Sequence, residues 1–284
     1  MNTKLVAIFL AVIMVMSILP FFFSGNTSQS DDDGTVDMSN APGFGSVAGT
    51  HVDQPFGSIS DGLDMTFSDV GTAQYIDLTR TQNTPLQFLI GNTSQLDAFY
   101  GSNVLRMYSA GSADGASWIQ FHEIYPQTVA YQYYLAPEAY NGYQLLSRGN
   151  NLYNVIGSPM ILGKKGQVEN ALDVLSGISA SCDKFDHILS YSGPSAEFQR
   201  VTEIENGFAD QYYVGIKLIN GTHYARTSVY LNATDSTISN LTSFAQNGTG
   251  RGLAYETISY GNITKVTITS NASNFYALAA EPSW

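Results

Sequence analysis

The residues best suited to acid–base or metal chemistry are few and widely spaced. The four histidines are His51, His122, His187 and His223. None has the His-Glu-x-x-His spacing that places two imidazoles on one helix face for zinc. The chain also lacks a Gly-x-Ser-x-Gly nucleophile turn and a phosphate-binding glycine loop ending in Lys-Ser/Thr. The sequence therefore predicts no catalytic residue, no cofactor and no metal site, and we expect that the protein is not an enzyme.

Two weaker arrangements of polar residues need separate treatment. The neighbours His122 and Glu123 have the types of an acid and a base, but adjacent residues on a strand point to opposite faces. Asp61, Asp64 and Asp69 offer oxygens to calcium, yet they lack the Asp-x-Asp-x-Asp-Gly loop spacing. We interpret all five as ordinary solvated residues.

Tyrosines and the single cysteine have simple structural interpretations. A sugar-stacking surface is one hypothesis for a group of five tyrosines, but tyrosines on strands commonly serve sheet packing. The five are Tyr131, Tyr133, Tyr134, Tyr212 and Tyr213. Cys182 is the only cysteine, so no internal disulfide can form, and we predict that it is a small buried apolar residue.

Acceptor triplets for N-linked glycans, Asn-x-Ser/Thr, are concentrated late in the chain. The predicted glycosylation sites are Asn92, Asn220, Asn232, Asn240, Asn247, Asn262 and Asn271, and a further triplet begins at Asn26. Several lie at predicted turns, where a bulky glycan can project into solvent. We therefore expect glycans to occupy several of the late sites and to mark the outward face of the carboxyl-terminal half.

Residues 1–23 are predicted to enter a membrane. From Leu5 to Phe23 every residue is apolar except Ser17, which suffices for a helix that crosses the hydrocarbon layer. Bulky rings at the end of the run disfavour signal cleavage, so an uncleaved anchor is favoured over a cleaved leader. Lys4 before the span and the acidic run after it place the body outside the cytoplasm.

Between the leader and the body, residues 24–62 are rich in Gly, Ser and Asp and have few large apolar residues. This composition predicts a flexible tether. It includes a Gly-x-Gly run at Gly43, but no hydrophobic strand precedes that run, so we do not interpret it as a dinucleotide site.

The body is predicted to be α+β, with antiparallel strand-rich sheets and a few short packed helices. The first part, 63–180, opens as strand, helix and strand, and contains an amphipathic helix that starts near Gly166. The second part, 181–284, contains two hairpins, with turns at Asn220-Gly221 and at Gly261-Asn262. The two parts are either separate domains or one continuous fold.

Composition restricts the partners. The net charge of −12 repels phosphate backbones, which excludes nucleic-acid binding. The layout of the chain resembles cell-envelope glycoproteins of methanogenic archaea, of the sheath or surface-layer type. This resemblance rests on the leader that ends in Leu19-Pro20-Phe21-Phe22-Phe23, the tether, the glycan triplets, and the segment 156–163 that runs into the amphipathic helix.

That resemblance implies a structural role at the extracellular face of the membrane or in the cell envelope. Partners would then be the membrane, through the amino-terminal helix, and further copies or other envelope proteins. The alternative is a membrane-tethered module that binds a sugar, a peptide or a metal ion. Uncovered strand edges favour the structural role, whereas a concave polar pocket favours the binding module.

Overall fold

The computed structural model describes residues 41–193 and 195–283, and the predicted leader or anchor at 1–23 lies outside them. Fourteen strands are described: β1 Val52–Asp53, β2 Thr72–Asp77, β3 Asn103–Gly111, β4 Trp118–Tyr125, β5 Tyr134–Leu135, β6 Leu146–Gly149, β7 Leu152–Val155, β8 Gly157–Ser158, β9 Met160–Lys164, β10 Phe198–Glu203, β11 Gln211–Ile219, β12 His223–Leu231, β13 Ala254–Tyr260 and β14 Ile263–Asn271. Seven α-helices are described: α1 Ile59–Asp64, α2 Gln87–Ile90, α3 Ser94–Tyr100, α4 Lys165–Leu175, α5 Asp186–Leu189, α6 Asp235–Gln246 and α7 Phe275–Ala279. Within these residues no helix has both the length and the apolar character that crossing a membrane requires.

Twelve of the strands form one sheet in the order β13-β14-β12-β11-β10-β2-β3-β4-β9-β7-β6-β5. Every neighbouring pair in this sheet is antiparallel. The two remaining strands, β1 and β8, form a short parallel pair beside it. The predicted α+β class, with strand-rich antiparallel sheets and a few short helices, is confirmed.

The sheet buries side chains on both faces, because consecutive residues of a strand point in opposite directions. Face 1 holds Ile76 and Tyr212, together with core residues from α2, α3, α6 and α7. Face 2 holds Tyr75 and Tyr213, together with core residues from α1, α4 and α5. The architecture is therefore three-layered, with helices on both sides of an antiparallel sheet.

Helix α4 shows how the sequence pattern produces one of these layers. Val168, Ala171 and Leu172 are fully buried on face 2, at the three- and four-residue spacing that forms one apolar stripe. Gly177 follows the helix with a φ of 70°, the left-handed conformation that ends helices at little cost to glycine. The predicted helix is confirmed.

Both predicted hairpins are also present. Strands β11 and β12 pair from Gln211 with Leu231 to Ile219 with His223, and the three residues 220–222 connect them. Thr222 N donates to Ile219 O at 3.3 Å, which closes a β-turn with Asn220 and Gly221 at its centre. In that turn Asn220 has a φ of 54° and Gly221 a φ of 69°, as a type I′ turn requires. Strands β13 and β14 turn at Gly261-Asn262, where Gly261 has a φ of 60°.

The predicted flexible tether is wrong for residues 41–62. Phe44, Val47, Val52, Phe56 and Ile59 are all buried, and they join the cores on both faces of the sheet. A few apolar residues are enough to order this segment, because each one packs into a core that is formed by the rest of the chain. The remaining tether residues, 24–40, lie outside the described part of the chain.

Between β4 and β6, the only strand of the described chain is the two-residue β5. Before β5, Val129 donates its backbone N–H to Pro42 O at 2.8 Å, and Thr128 forms an isolated bridge with Gly43. The backbone partner of this stretch is thus the segment that the sequence presents as a linker.

The predicted boundary between 63–180 and 181–284 does not divide the sheet. Strand β10 pairs with β2 in register, from Phe198 with Ile76 to Thr202 with Thr72. Of the two arrangements left open by the sequence, the described residues form the continuous one.

Candidate functional site

All seven predicted glycosylation sites in the described residues are exposed: Asn92, Asn220, Asn232, Asn240, Asn247, Asn262 and Asn271. Two of them already use the amide nitrogen that would carry a glycan. Asn232 Nδ2 donates to Asp210 Oδ2 at 2.6 Å, and Asn247 Nδ2 donates to Ser243 O at 3.0 Å. Every predicted site is therefore accessible to solvent, as a glycan requires. The amides of Asn232 and Asn247 also donate local hydrogen bonds.

The acceptors do not share one face. Asn220 follows β11 at the end of the sheet where Asn271 pairs with His223, whereas Asn232 N donates to Asn262 O at the opposite end of the same strands. Asn240 and Asn247 belong to α6 and its carboxyl end. Hairpin turns and strand ends lie at alternate ends of the strands, so glycans at all of these acceptors would not mark one outward face. Which acceptors carry a glycan stays a prediction. The late sites lie at both ends of these strands and on α6, which packs against face 1.

The neighbours His122 and Glu123 point to opposite faces, as expected from the strand. The interpretation of His122 as a solvated residue is wrong, because its side chain is fully buried. Its Nδ1 lies 2.7 Å from the Tyr100 hydroxyl, while Nε2 has no partner among the described residues. Burial alone lowers the pKa of His122 to about 3, so the imidazole is neutral at physiological pH. Glu123 instead accepts from Arg106 at 2.6 Å, and the two residues do not act as an acid–base pair.

The three predicted carboxylates are not gathered into one site. Asp61 and Asp64 line a depression of about 280 Å³ with Gln54, whereas Asp69 lies outside it. Asp61 also accepts from Gly57 N at 2.7 Å. Burial, followed by the charges of Asp61 and Asp186, raises the pKa of Asp64. No cluster of three metal-binding side chains occurs in the residues that the structure describes.

The five tyrosines do not form a sugar platform. Tyr212 and Tyr213 are buried on opposite faces, and the Tyr131 ring contacts the guanidinium of Arg148, whereas Tyr134 is 78% exposed. A depression of about 420 Å³ is lined by a different pair, Phe88 and Tyr276, whose rings meet edge to face at 5.4 Å. Nothing in the local sequence pattern indicates this pair, since the two residues meet only through the fold.

Cys182 is buried and unpaired, as predicted for a small apolar residue. Burial raises the pKa of its thiol, which lowers its reactivity.

A buried hydrogen-bond network at the carboxyl end was not indicated by the sequence. Arg226 Nη2 donates to the Tyr212 hydroxyl at 3.1 Å and to Ser283 Oγ at 2.9 Å. Its Nη1 donates to the carbonyls of Leu278 and Glu281. These bonds fasten the last residues of the described chain to β11 and β12, so the role of Arg226 is structural.

A row of polar side chains crosses face 1, and we call it the polar row. Strand register places Arg200 opposite Gln74, Gln74 opposite Ser109, and Ser109 opposite Gln120. Arg200, Gln74 and Ser109 are partly exposed, and Gln120 is 4% exposed. The backbone of Arg200 belongs to the ladder of the sheet, but its guanidinium forms no hydrogen bond or ion pair with any described residue. Its own strand shows no periodicity that distinguishes this arginine from a surface residue.

One long strand edge is uncovered in the described chain. Strand β13 has β14 on one side and no strand on the other, and its seven residues pair with β14 without a bulge. Five of the seven are exposed, and Glu256 is the one charged residue among them. The opposite edge of the sheet, β5, has two residues. Over residues 41–193 and 195–283, the twelve-stranded sheet thus has one edge long enough to accept another strand.

The chain is similar to one family model and to solved structures of low sequence identity. The family model describes the N-terminal domain of a protein family and matches residues 55–176. These residues run from before α1 to the residue after α4. Two crystal forms of TP0453 are similar at TM-scores of 0.48 and 0.46, with 10% and 8% identity. Each comparison covers 77% of this chain and 96% of the other. No curated protein matches the chain.

Proposed function

We propose that this chain is a non-catalytic glycoprotein of the cell envelope, located outside the cytoplasm and held by its amino-terminal apolar segment. Its role is structural, and copies associate through strand β13. The observation that carries this proposal is the long, regular and uncovered edge of that strand.

Edge strands normally carry protection, because their free N–H and C=O groups bind further strands. Common protection consists of lysines, prolines, bulges or very short strands. Strand β13 lacks each of these and has one charge, on Glu256. The two-residue β5 edge, by contrast, is too short to pair stably. This asymmetry favours pairing of β13 with β13 of a second copy over a head-to-tail chain.

The residues of β13 are compatible with antiparallel pairing of two copies about a twofold axis. When two antiparallel copies are centred on Thr257, each Glu256 faces Ile258 of the other copy, so like charges are not directly opposed. Asn262 lies in the turn beyond Tyr260, outside the strand. A glycan at Asn262 would project past the end of the strand and leave its central backbone groups available.

Exposure of the seven acceptor asparagines supports the envelope location, because a glycan is hydrated and must point away from the core. Glycopeptide mapping of protein from its native host tests this part of the proposal. We expect glycans at several late sites, including Asn220 and Asn262 in the hairpin turns. Unmodified asparagine at all seven positions would remove the support for an envelope glycoprotein.

Association through β13 is tested with cysteine cross-linking. The parent chain has only the buried Cys182, so an exposed new cysteine reports its own surroundings. In the full chain, Thr257→Cys should give a covalent dimer with a short bifunctional maleimide. Ser68→Cys, in an exposed loop before β2, is the matched control and should remain monomeric.

A second variant tests the same edge without a cross-linker. Thr257→Lys places two cations opposite each other at the centre of the pairing, so sedimentation should show loss of the dimer with an unchanged melting temperature. If the parent chain sediments as a monomer at all concentrations, and Thr257→Cys cross-links no better than Ser68→Cys, assembly through β13 is wrong.

A further inference from the structure

The polar row on face 1 has no part in assembly through β13, from which it is separated by several strands. We propose that the polar row binds a small organic anion, whose carboxylate or phosphate group pairs with Arg200. Gln74, Ser109 and Gln120 provide hydrogen bonds to the remainder of the molecule. This site is independent of the envelope role.

Arg200 differs from each of the other five arginines of the chain, all of which have partners in the described structure. Arg80, Arg106 and Arg251 form ion pairs with carboxylates. Arg226 donates to the groups of the carboxyl-terminal network, and Arg148 donates to Asn154 Oδ1 at 3.2 Å between two aromatic rings. Because the Arg200 guanidinium has no such partner, it is available to form an ion pair with an external anion.

The residues around Arg200 do not balance its positive charge. Its cross-strand neighbours are Val214 and Gln74, and neither carries a charge. Removal from water lowers the pKa of the Arg200 guanidinium, which means that the fold disfavours the bare cation. A carboxylate or phosphate in a bidentate pair would compensate for that loss of hydration.

The polar row also limits the size and charge of the ligand. Neighbouring strands lie about 4.8 Å apart, so the row from Arg200 to Gln120 extends roughly 14 Å, the length of a small organic molecule. Gln74, Ser109 and Gln120 are uncharged and offer both donors and acceptors. A single cation in a chain of net charge −12 matches one anionic group, whereas a polyanion would be repelled.

Titration calorimetry on the full chain tests the site with three probes: inorganic phosphate, acetate and octanoate. We expect saturable binding of at least one, and the comparison of acetate with octanoate distinguishes a free carboxylate from one on an apolar chain. Arg200→Gln should weaken this binding at least tenfold. The matched control is Lys217→Gln, which removes one positive charge from the opposite face of neighbouring strand β11 and should change affinity less than twofold.

Melting curves distinguish loss of the site from loss of the fold. Without ligand, Arg200→Gln should melt at the parent temperature or above, because an unpaired cation is removed from a partly desolvated position. The bound anion should raise the melting temperature of the parent and leave that of the variant unchanged. Thr257→Lys, which disrupts the proposed dimer, should bind the anion normally, so failure of assembly and failure of this site are separable.

Three results would each overturn the anion site. The first is that none of the three probes binds. The second is that Arg200→Gln binds the anion with the affinity of the parent. The third is that Lys217→Gln loses as much affinity as Arg200→Gln, which would indicate only a general effect of charge.

Discussion

The Arg226 guanidinium donates a hydrogen bond to the Tyr212 hydroxyl at 3.1 Å, beneath the last residues of the described chain. Arg226 is 4% exposed, and its other bonds reach the carbonyls of Leu278 and Glu281 and the hydroxyl of Ser283. One side chain therefore connects two central strands to helix α7 and to the segment after it.

Replacing Arg226 should release the carboxyl-terminal segment. For Arg226→Met we expect a loss of roughly 2–4 kcal/mol in the free energy of unfolding, because several buried acceptors lose their donor at once. Urea denaturation gives the total loss, and hydrogen exchange should show faster exchange over 275–283. Lys165→Gln is the control, since it removes only the surface ion pair with Glu169 and should cost less than about 0.5 kcal/mol. Equal costs for the two variants would contradict the role of Arg226.

Two helical glycines should respond to alanine in opposite directions. A Cβ at Gly62 in α1 would lie 2.2 Å from the Tyr108 ring, whereas a Cβ at Gly166 in α4 would meet nothing within 4 Å. Gly62→Ala should lower the free energy of unfolding by about 1–3 kcal/mol, since the buried ring must move. Gly166→Ala should raise it by about 0.5–1 kcal/mol, because alanine is the better helix former. Melting curves of both variants give the comparison, and stabilisation by Gly62→Ala would show that α1 does not pack this closely.

The buried His122 should make the protein sensitive to mild acid. Its folded pKa, about 3, lies below its ordinary value of 6.5, so the unfolded chain takes up the proton first. This contribution to stability is fully present above the ordinary pKa and is lost as the pH falls towards the folded pKa. Between pH 7 and pH 5.5 the expected loss is about 1 kcal/mol.

Chemical denaturation at these two pH values provides the measurement. His122→Gln keeps an acceptor for Tyr100 and should remove this part of the pH dependence. His223→Gln changes an exposed histidine and should retain it. An unchanged pH dependence in His122→Gln would assign the acid sensitivity to other groups.

The turn at Asn220-Gly221 should depend on its glycine. Gly221→Val forces a β-branched residue to a φ of 69°, and the expected cost is about 1–3 kcal/mol. The Asn220 acceptor triplet remains intact in this variant, so stability and glycan occupancy can be measured on the same protein. Gly221→Asn, which tolerates the left-handed conformation, should cost less than valine. Equal melting temperatures for parent and Gly221→Val would exclude the type I′ turn.

Local sequence signals were sufficient for the elements with strong local rules. The turn at Asn220-Gly221 and the apolar stripe of α4 depend on residues close in sequence, so pattern and structure agree there. Glycan acceptors could be located by their triplets, and their exposure follows from their positions at turns, strand ends and helix surfaces.

Features that arise from distant contacts could not be predicted. Phe44 and Val47 look like isolated residues in a linker, but they pack into a core formed by residues far along the chain. The polar row depends on the placement of β10 beside β2, which brings Arg200 next to Gln74. No periodicity within either strand specifies that neighbour, because pairing is decided by the whole sheet.

The pairing of β2 with β10 also has a consequence for the order of folding. Strands β2, β3 and β4 are consecutive in both sequence and sheet, and so are β10, β11 and β12, whereas β2 and β10 are separated by all the strands between them in the chain. Closing so long a loop delays contact formation, and proteins dominated by distant contacts fold slowly. We expect the two strand groups to collapse first and the β2–β10 seam to form last. Until they pair, β2 and β10 are both open strand edges. During that interval the chain is most prone to pair incorrectly with strands of other molecules.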